Sequence, residues 1–147
     1  MRIRVATRGS ALALWQANRV SSLLTRTLPG VEVEIVTVET TGDRDQTTPL
    51  EQMGGLGVFV KEVQAAVLDG RADLAVHSAK DLPGGQTDGL ALAAVPERAD
   101  PRDVLVGCRL TSLPEGATVA TGSIRRRAHL ANHRPDLRFT GLRGNIG

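Results

Sequence analysis

The chain has 147 residues, of which 41% are hydrophobic, and it carries 18 basic and 16 acidic side chains. Its apolar stretches are shorter than the roughly 20 residues of a transmembrane helix, and no signal peptide is evident, so we expect a cytoplasmic protein without membrane contact. The chain has two Phe, one Trp and no Tyr. Proteins that bind single-stranded nucleic acid stack its bases on aromatic side chains, so this composition argues against that class of protein.

The charges are unevenly distributed along the chain. Residues 1–100 carry ten basic and thirteen acidic side chains, net −3, whereas residues 101–147 carry eight basic and three acidic ones, net +5. Of the 18 basic residues 16 are Arg, whose planar guanidinium pairs with carboxylate or phosphate through two hydrogen bonds. We therefore expect a small anionic ligand for the second segment.

The first hundred residues predict alternating strands and helices. One helix begins at about Ser10, a plausible N-cap, and ends at Pro29-Gly30, and a second runs over 59–69. The polar, glycine-rich stretch 40–57 is long for a connection in a compact domain, and such loops are usually functional or mobile. The predicted strands are 2–7, 31–38, 73–77 and 90–95.

A charged segment around Pro101 predicts a domain boundary near residue 100. We expect one α/β domain over 1–99 and the first part of a second over 100–147, with sheets covered by helices. The strands predicted beyond the boundary are 104–106, 118–120 and 138–140. In such folds ligands bind outside the carboxyl ends of the strands, and three polar clusters of this chain follow predicted strands.

The first cluster, Thr7-Arg8-Gly9-Ser10, lies at a strand-to-helix turn. Free N–H groups at a helix start attract anions, and Arg8 would add a bidentate clamp. The alternative is a capped helix with a solvated arginine, which this segment alone favours.

The second cluster, Thr121–Arg127, predicts a helix capped by Ser123 with Arg125 and Arg126 in its first turn. Cations there oppose the helix dipole by about 0.3–1 kcal/mol each unless an anion binds, which suggests an anion site. A solvated basic face is the alternative. The residues predicted to face inward are Ile124, Ala128 and Ala131.

The third cluster places Lys80 and Asp81 after a strand. Asp81 is suited to accept a hydrogen bond from a ligand N–H or to stabilise a developing cation. The alternative is a turn aspartate before Pro83.

The histidines and the cysteine are given no chemical role. His77 is interpreted as a packed strand-end histidine, and His129 and His133 as a surface pair, because no third metal ligand is evident. Cys108 is alone, which excludes a disulfide framework within these residues. We predict no metal site.

Eight short segments carry a family resemblance through their order and spacing. They are Ala6–Ser10, Leu14–Gln16, Thr48–Leu50, Phe59–Glu62, Ala75–Pro83, Arg98–Asp103, Arg134–Leu137 and Leu142–Asn145. Together they make essentially the whole chain resemble the porphobilinogen deaminase (hydroxymethylbilane synthase) family. The resemblance implies a transferase of haem biosynthesis that holds a covalent dipyrromethane cofactor and joins four porphobilinogen units into hydroxymethylbilane, losing ammonia each time.

The resemblance also implies roles for individual residues, since each pyrrole carries acetate and propionate groups. The positions that match carboxylate-binding arginines are Arg8, Arg125, Arg126 and Arg143. Ser10 and Ser123 match hydroxyls near them, and Lys80 matches a contact to a cofactor side chain. Asp81 matches the catalytic aspartate, which faces pyrrole N–H groups and stabilises the cation left when ammonia departs.

The implied fold has two similar domains like those of type II periplasmic binding proteins, each with a mixed sheet, and the site in their cleft. A third domain would carry the cysteine that anchors the cofactor, and Cys108 does not match it. We therefore expect the N-terminal part of a monomeric enzyme, inactive as 147 residues alone. Leu56 and Thr41 depart from the family, where lysine and arginine are frequent.

Two other functions remain open at the level of sequence. A free-standing module that binds small carboxylates without catalysis would use the same arginines, but it would have no need of Asp81. Nucleic-acid binding through Arg125–Arg127 would give a steep salt dependence that a small-ligand pocket would not show. We rank this last reading lowest.

Overall fold

The computed structural model describes residues 1–44, 57, 59–85 and 87–142. The chain divides into two compact units, Met1–Pro96 and Glu97–Gly147. In the described part of the chain, none of the helices combines the length and the apolar character needed to cross a bilayer.

The first unit is built on a sheet of three parallel strands in the order β2-β1-β3. Strand β1 spans Arg2–Arg8, β2 spans Glu32–Val38 and β3 spans Leu74–Ala75. The central strand β1 is the most enclosed, and its Val5, Ala6 and Thr7 are 0% exposed. Continuous burial of this kind is expected of a central parallel strand that is covered on both faces.

Three helices accompany this sheet: α1 (Ala11–Thr27), α2 (Thr41–Arg44) and α3 (Lys61–Leu68). Helix α1 begins where predicted, because the Ser10 hydroxyl accepts a hydrogen bond from the Ala13 N–H at 3.4 Å. It ends before Gly30, which adopts the positive φ of 79° that closes the turn. A core cluster between α3 and the sheet contains Ala6, Val38, Val63, Ala66 and Ala72.

The second unit contains a small β-α-β arrangement. Strand β4 (Thr118–Ala120) leads into helix α4 (Ile124–His133), and β5 (Arg138–Thr140) returns parallel to β4. The Ser123 hydroxyl caps α4 by accepting from the Arg126 N–H at 3.3 Å. Among the described residues of this unit, the buried apolar ones are Val119 and Leu137.

The prediction of an α/β fold is confirmed, and every strand pair in the described residues is parallel. Five strands lie where the sequence predicts them, although β3 is shorter than predicted, but two predicted strands, 90–95 and 104–106, are wrong because neither forms a strand. A strand needs a neighbour for its backbone N–H and C=O groups, and no described strand pairs with these residues. Leu92 and Val104 are accordingly 72% and 83% exposed.

The predicted inward face of α4 is also partly wrong. Ile124 is 67% exposed and Ala128 is exposed, whereas Leu130 and Ala131 are half-buried. Two neighbouring strands are only about 5 Å apart, whereas a helix with its side chains is about 10 Å wide. The sheet of two three-residue strands therefore covers only part of the helix.

Candidate functional site

The predicted site residues of the first unit follow the carboxyl ends of its parallel strands. Arg8 ends β1 opposite Val38, which ends β2. Ala75 ends β3 opposite Ala6, so that the segment from Val76 to Asp81 leaves the sheet at the same edge. The site of a parallel α/β sheet is expected at this edge.

Arg8 is held by Asp43, a residue of the connection after β2. The guanidinium Nε–H lies 3.1 Å from each carboxylate oxygen, and Nη2 donates to Oδ1. The two side chains are only 21% and 23% exposed. The alternative of a solvated Arg8 is therefore wrong, since the guanidinium is half-buried and paired.

Asp43 is itself fixed by Thr40, which is fully buried. The Thr40 hydroxyl donates to Asp43 Oδ2 at 2.8 Å, and the Thr40 N–H does so at 3.2 Å. Burial raises the pKa of the Asp43 carboxyl, but the hydrogen bonds from Arg8 and Thr40 outweigh burial and hold it below its usual value. Asp43 is therefore an ionised acceptor near neutral pH.

Phe59 covers one face of the same guanidinium. The Cζ atom of Arg8 lies 4.0 Å from the centroid of the Phe59 ring, a cation–π contact. The ring also packs against Gly42, where a Cβ atom would come within 2.1 Å of it. Only glycine at position 42 permits this close approach.

Lys80 and Asp81 lie on a short 3₁₀ turn, Ala79–Asp81, after β3. Lys80 is exposed and Asp81 is half-buried. The Asp81 N–H donates to the Ser78 carbonyl at 3.0 Å, which closes the turn. Gln16 of α1 hydrogen-bonds the Ser78 hydroxyl at 3.0 Å and so ties this turn to the helix.

His77 lies close enough to Asp81 and Arg8 to feel both charges. Burial is the main cause that lowers the pKa of His77; Asp81 raises it and Arg8 lowers it further. Its Nε2 atom is buried without a hydrogen-bond partner in the described residues. These features agree with the packed histidine expected from the sequence, and the charges of Arg8 and Asp81 both act on its ring.

The second unit brings Ser123, Arg125 and Arg126 together at the start of α4. Arg126 Nε donates to Asp103 at 2.8 Å, and the two side chains are 56% and 65% exposed. A pair so open to solvent contributes roughly 0–1 kcal/mol to stability. Arg125 is exposed, so the site residues of this unit lie on an open surface.

Other predicted residues can be placed as follows. Ser10 is half-buried, and the hydroxyl that caps α1 keeps its own O–H as a donor. Arg143, Leu56 and the segment 48–50 lie outside the described residues. Where residues are described, no group of three or more His, Cys, Asp or Glu is arranged to hold a metal ion.

Sequence reasoning missed two acidic partners, which are Asp43 for Arg8 and Asp103 for Arg126. A sequence signal was available for Asp43, because it follows the carboxyl end of β2 just as Ser10 follows β1 and Asp81 follows β3. Asp103 lies 23 residues before Arg126, in a segment with no regular structure, and no periodic pattern indicates the pairing.

Comparisons with known proteins identify the family of the chain. The family model described as "Porphobilinogen deaminase, dipyromethane cofactor binding domain" matches residues 3–147. A curated porphobilinogen deaminase from Geobacter sulfurreducens is 48% identical over 147 residues, which is 99% of this chain and 46% of that protein. The chain thus spans about half the length of this relative. It belongs to the porphobilinogen deaminase family, through the domain that the family model assigns to cofactor binding.

Proposed function

We propose that this chain serves, within a porphobilinogen deaminase, the stepwise joining of porphobilinogen units into hydroxymethylbilane. The observation that carries the proposal is that the half-buried Arg8 ends β1 and the half-buried Asp81 follows the neighbouring strand β3, so that a cation and a carboxylate lie at the same edge of the sheet. Porphobilinogen offers the matching chemistry, because its side-chain carboxylates suit the cation and its pyrrole N–H suits the carboxylate.

The cations and hydroxyls hold the carboxylates of the substrate and of the growing chain. In the first unit these donors are Arg8, Ser10 and Lys80. In the second unit they are Ser123, Arg125 and Arg126, with Arg143 proposed from the sequence alone. Charge-assisted hydrogen bonds to carboxylate are about twice as strong as neutral ones, so each additional pyrrole adds favourable contacts.

Asp81 stabilises the charge that develops in the reaction. When the C–N bond of the protonated aminomethyl group breaks, ammonia leaves with the bonding electrons and a cation spreads over the pyrrole. The carboxylate accepts the pyrrole N–H and lowers the energy of that cation. The methylene carbon of this unit then bonds to the free α-carbon of the terminal pyrrole of the growing chain. That pyrrole loses the proton from its α-carbon and regains aromaticity.

The donor set also fits a dipyrromethane cofactor. Such a group has two pyrrole N–H donors and several carboxylates, and Arg8, Lys80 and Asp81 offer two cations and one acceptor of the right kinds. When bound, dipyrromethane supplies the terminal pyrrole carbon to which the first unit is joined. Arg8 and Lys80 would hold its carboxylates, and Asp81 would orient its N–H groups.

The proposal includes the finer fold assignment. The strand order 2-1-3 in a parallel sheet, with candidate site residues after its carboxyl edge, is typical of doubly wound folds and supports a type II periplasmic-binding-protein-like domain. The mixed sheet of that fold stays part of the proposal. We propose domain 1 over 1–99 and the first part of domain 2 over 100–147. A cytoplasmic, monomeric full-length protein without a nucleic-acid partner also stays part of the proposal.

The test is an Asp81→Asn substitution in the native gene product that contains this chain. The amide keeps the shape of the side chain but removes the charge, so we expect kcat for ammonia release from porphobilinogen to fall by roughly 10²–10³. Asp88→Asn is the matched control, because Asp88 is exposed and lies only seven residues further along. Its kcat should stay within two-fold of the wild type.

Two results would contradict the proposal. One is turnover by Asp81→Asn within ten-fold of the wild type. The other is wild-type protein that binds porphobilinogen without releasing ammonia, which would favour the carboxylate-binding module. The denatured mass of the wild-type protein provides a readout without turnover, since we expect it to exceed the polypeptide mass by one dipyrromethane.

A further inference from the structure

A guanidinium has two edges that can each bind a carboxylate through two hydrogen bonds. Asp43 occupies the side-on edge of Arg8, formed by Nε and Nη2. The end-on edge, formed by Nη1 and the second N–H of Nη2, remains. Within the described residues nothing accepts a hydrogen bond from Nη1, so this edge is available to a ligand carboxylate.

Arg4, on the same strand, forms a second ion pair, in which other groups of the protein also accept hydrogen bonds from the guanidinium. Arg4 also offers Nε and Nη2 to one aspartate, Asp73, at 3.2 and 2.8 Å. Its Nη1, however, donates to the Gly70 carbonyl at 2.7 Å. Both edges of Arg4 are therefore taken by the protein, and this pair joins β1 to the connection before β3 without a free donor edge.

The residues that fix Arg8 are themselves fixed. The buried Thr40 bonds Asp43 from its hydroxyl and its N–H, and the Asp43 N–H donates back to the Thr40 carbonyl at 3.0 Å. Phe59 closes one face of the guanidinium. Rotation of Arg8 about its outer bonds would break the ion pair or the ring contact, so its remaining edge has a defined direction.

We infer that Asp43 is a positioning residue, which with Phe59 fixes Arg8 so that its end-on edge receives a carboxylate of the porphobilinogen-derived ligand. The inference rests on the proposed function and names the residue that orients one of its binding groups. Asp43 also neutralises much of the charge of Arg8. Binding at Arg8 thus depends on the direction of two N–H groups more than on net charge, and the two oxygens of a planar carboxylate match that pair of donors.

The first variant is Asp43→Asn in the native gene product, with Asp73→Asn as its matched control. The amide lacks the negative charge and one of the two acceptor oxygens that hold Arg8, and we expect the KM for porphobilinogen to rise about ten-fold. The kcat should change less than three-fold. Asp73→Asn should leave KM within two-fold, because Arg4 has no free edge.

A second readout follows Arg8 without turnover. The Nε–H of Arg8 gives an NMR signal whose exchange with water is slow while Asp43 holds it, and Asp43→Asn should speed this exchange, whereas Asp73→Asn should not. Phe59→Leu keeps the ion pair but removes the ring contact, so it tests the same arrangement if Asp43→Asn folds poorly. We expect Phe59→Leu to raise KM about three-fold.

The outcomes separate the inference from the proposed function. An unchanged KM in both folded variants overturns the inference while wild-type turnover sustains the function. Fast exchange at Arg8 with an unchanged KM overturns it too, because Arg8 would then be positioned but not used. If the wild-type protein neither binds nor converts porphobilinogen, the proposed function fails first and the inference falls with it.

Discussion

His77 is a half-buried imidazole on which the charges of a carboxylate and a guanidinium both act. Removing the ring from water disfavours its protonated form, and the charge of Arg8 acts in the same direction, whereas Asp81 opposes them; on balance the pKa of His77 is lowered. Its buried Nε2 has no described partner that could accept a proton from an imidazolium. Protonation of His77 should therefore destabilise the folded chain.

This environment predicts a pH dependence of stability. The pKa of His77 is about 6.5 when unfolded and lower when folded, so the unfolded chain binds the proton more readily. The stability that the neutral ring provides is complete above about pH 6.5 and is lost as the pH falls from there through the folded pKa. Because water reaches part of the ring, we expect a loss of less than about 1 kcal/mol.

The measurement compares urea unfolding of the wild type and of His77→Gln at pH 7.5 and pH 5.5. The glutamine variant cannot take up this proton, so its free energy of unfolding should change less over this range. Carboxylates that titrate at lower pH affect both proteins alike. If the free energy of unfolding changed equally with pH in the two proteins, the proton would bind His77 equally well in the folded and the unfolded chain.

For individual residues, the sequence predicts those contacts whose partners are close together in the chain. Ser10 and Ser123 were identified as caps because an N-cap side chain bonds an N–H only three residues ahead. The pair of Arg8 and Asp43 spans 35 residues and exists only because β1 and β2 are neighbours in register. The family resemblance predicted a ligand carboxylate at Arg8, but not a protein carboxylate that already occupies one edge.

Helix α2 packs closely against the segment before α3. Gly42 is buried in α2, and its missing side chain leaves the space that the Phe59 ring fills, at a distance where a Cβ atom would overlap it. Nearby, the Thr41 N–H and hydroxyl donate to Glu62 Oε1 at 2.9 and 2.6 Å. The two elements are thus joined by packing and by hydrogen bonds, and Thr41, a departure from the family, takes part.

We expect Gly42→Ala to destabilise the protein. Alanine favours a helix more than glycine does, but overfilling a packed site typically costs about 1–3 kcal/mol, and here the ring must move from Arg8. The melting temperature should fall, and the ordered Nε–H signal of Arg8 should be lost with it. The matched control is Gly84→Ala, since an added Cβ at Gly84 meets nothing within 4 Å. An equal melting temperature for both variants would contradict the packing argument.

Elements were predicted well where their pattern is self-contained and poorly where a neighbour decides. The caps and the apolar spacing of α1 and α4 indicate helices regardless of what surrounds them. A strand pattern such as 90–95 indicates only the capacity to pair, and the described residues provide no partner for it. For the same reason β3 is two residues long rather than the predicted five, since it pairs with β1 only at Leu74 and Ala75.

The chain divides into two compact units, and the described residues around their division have no regular structure. Residues 91–104 are all exposed, and the division between the units falls within them, after Pro96. Residues 91–96 are apolar and residues 97–103 are mostly charged, and the ion pair of Arg102 with Asp100 is local. Such a segment has few contacts to lose when it opens, so its local stability should be the lowest of the described regions.

Limited trypsin digestion of the 147-residue chain should therefore cut first after Arg98. A protease must draw an extended stretch of backbone into its active site, which costs little here and requires unwinding in a helix. Arg19 is the internal control, because its side chain is exposed but its backbone lies in α1, and we expect cleavage there to be at least about ten-fold slower. Mass spectrometry over time would show residues 1–98 and 99–147 accumulating. If cleavage within α1 came first, the unit Met1–Pro96 would be less stable than its buried β1 and capped α1 imply.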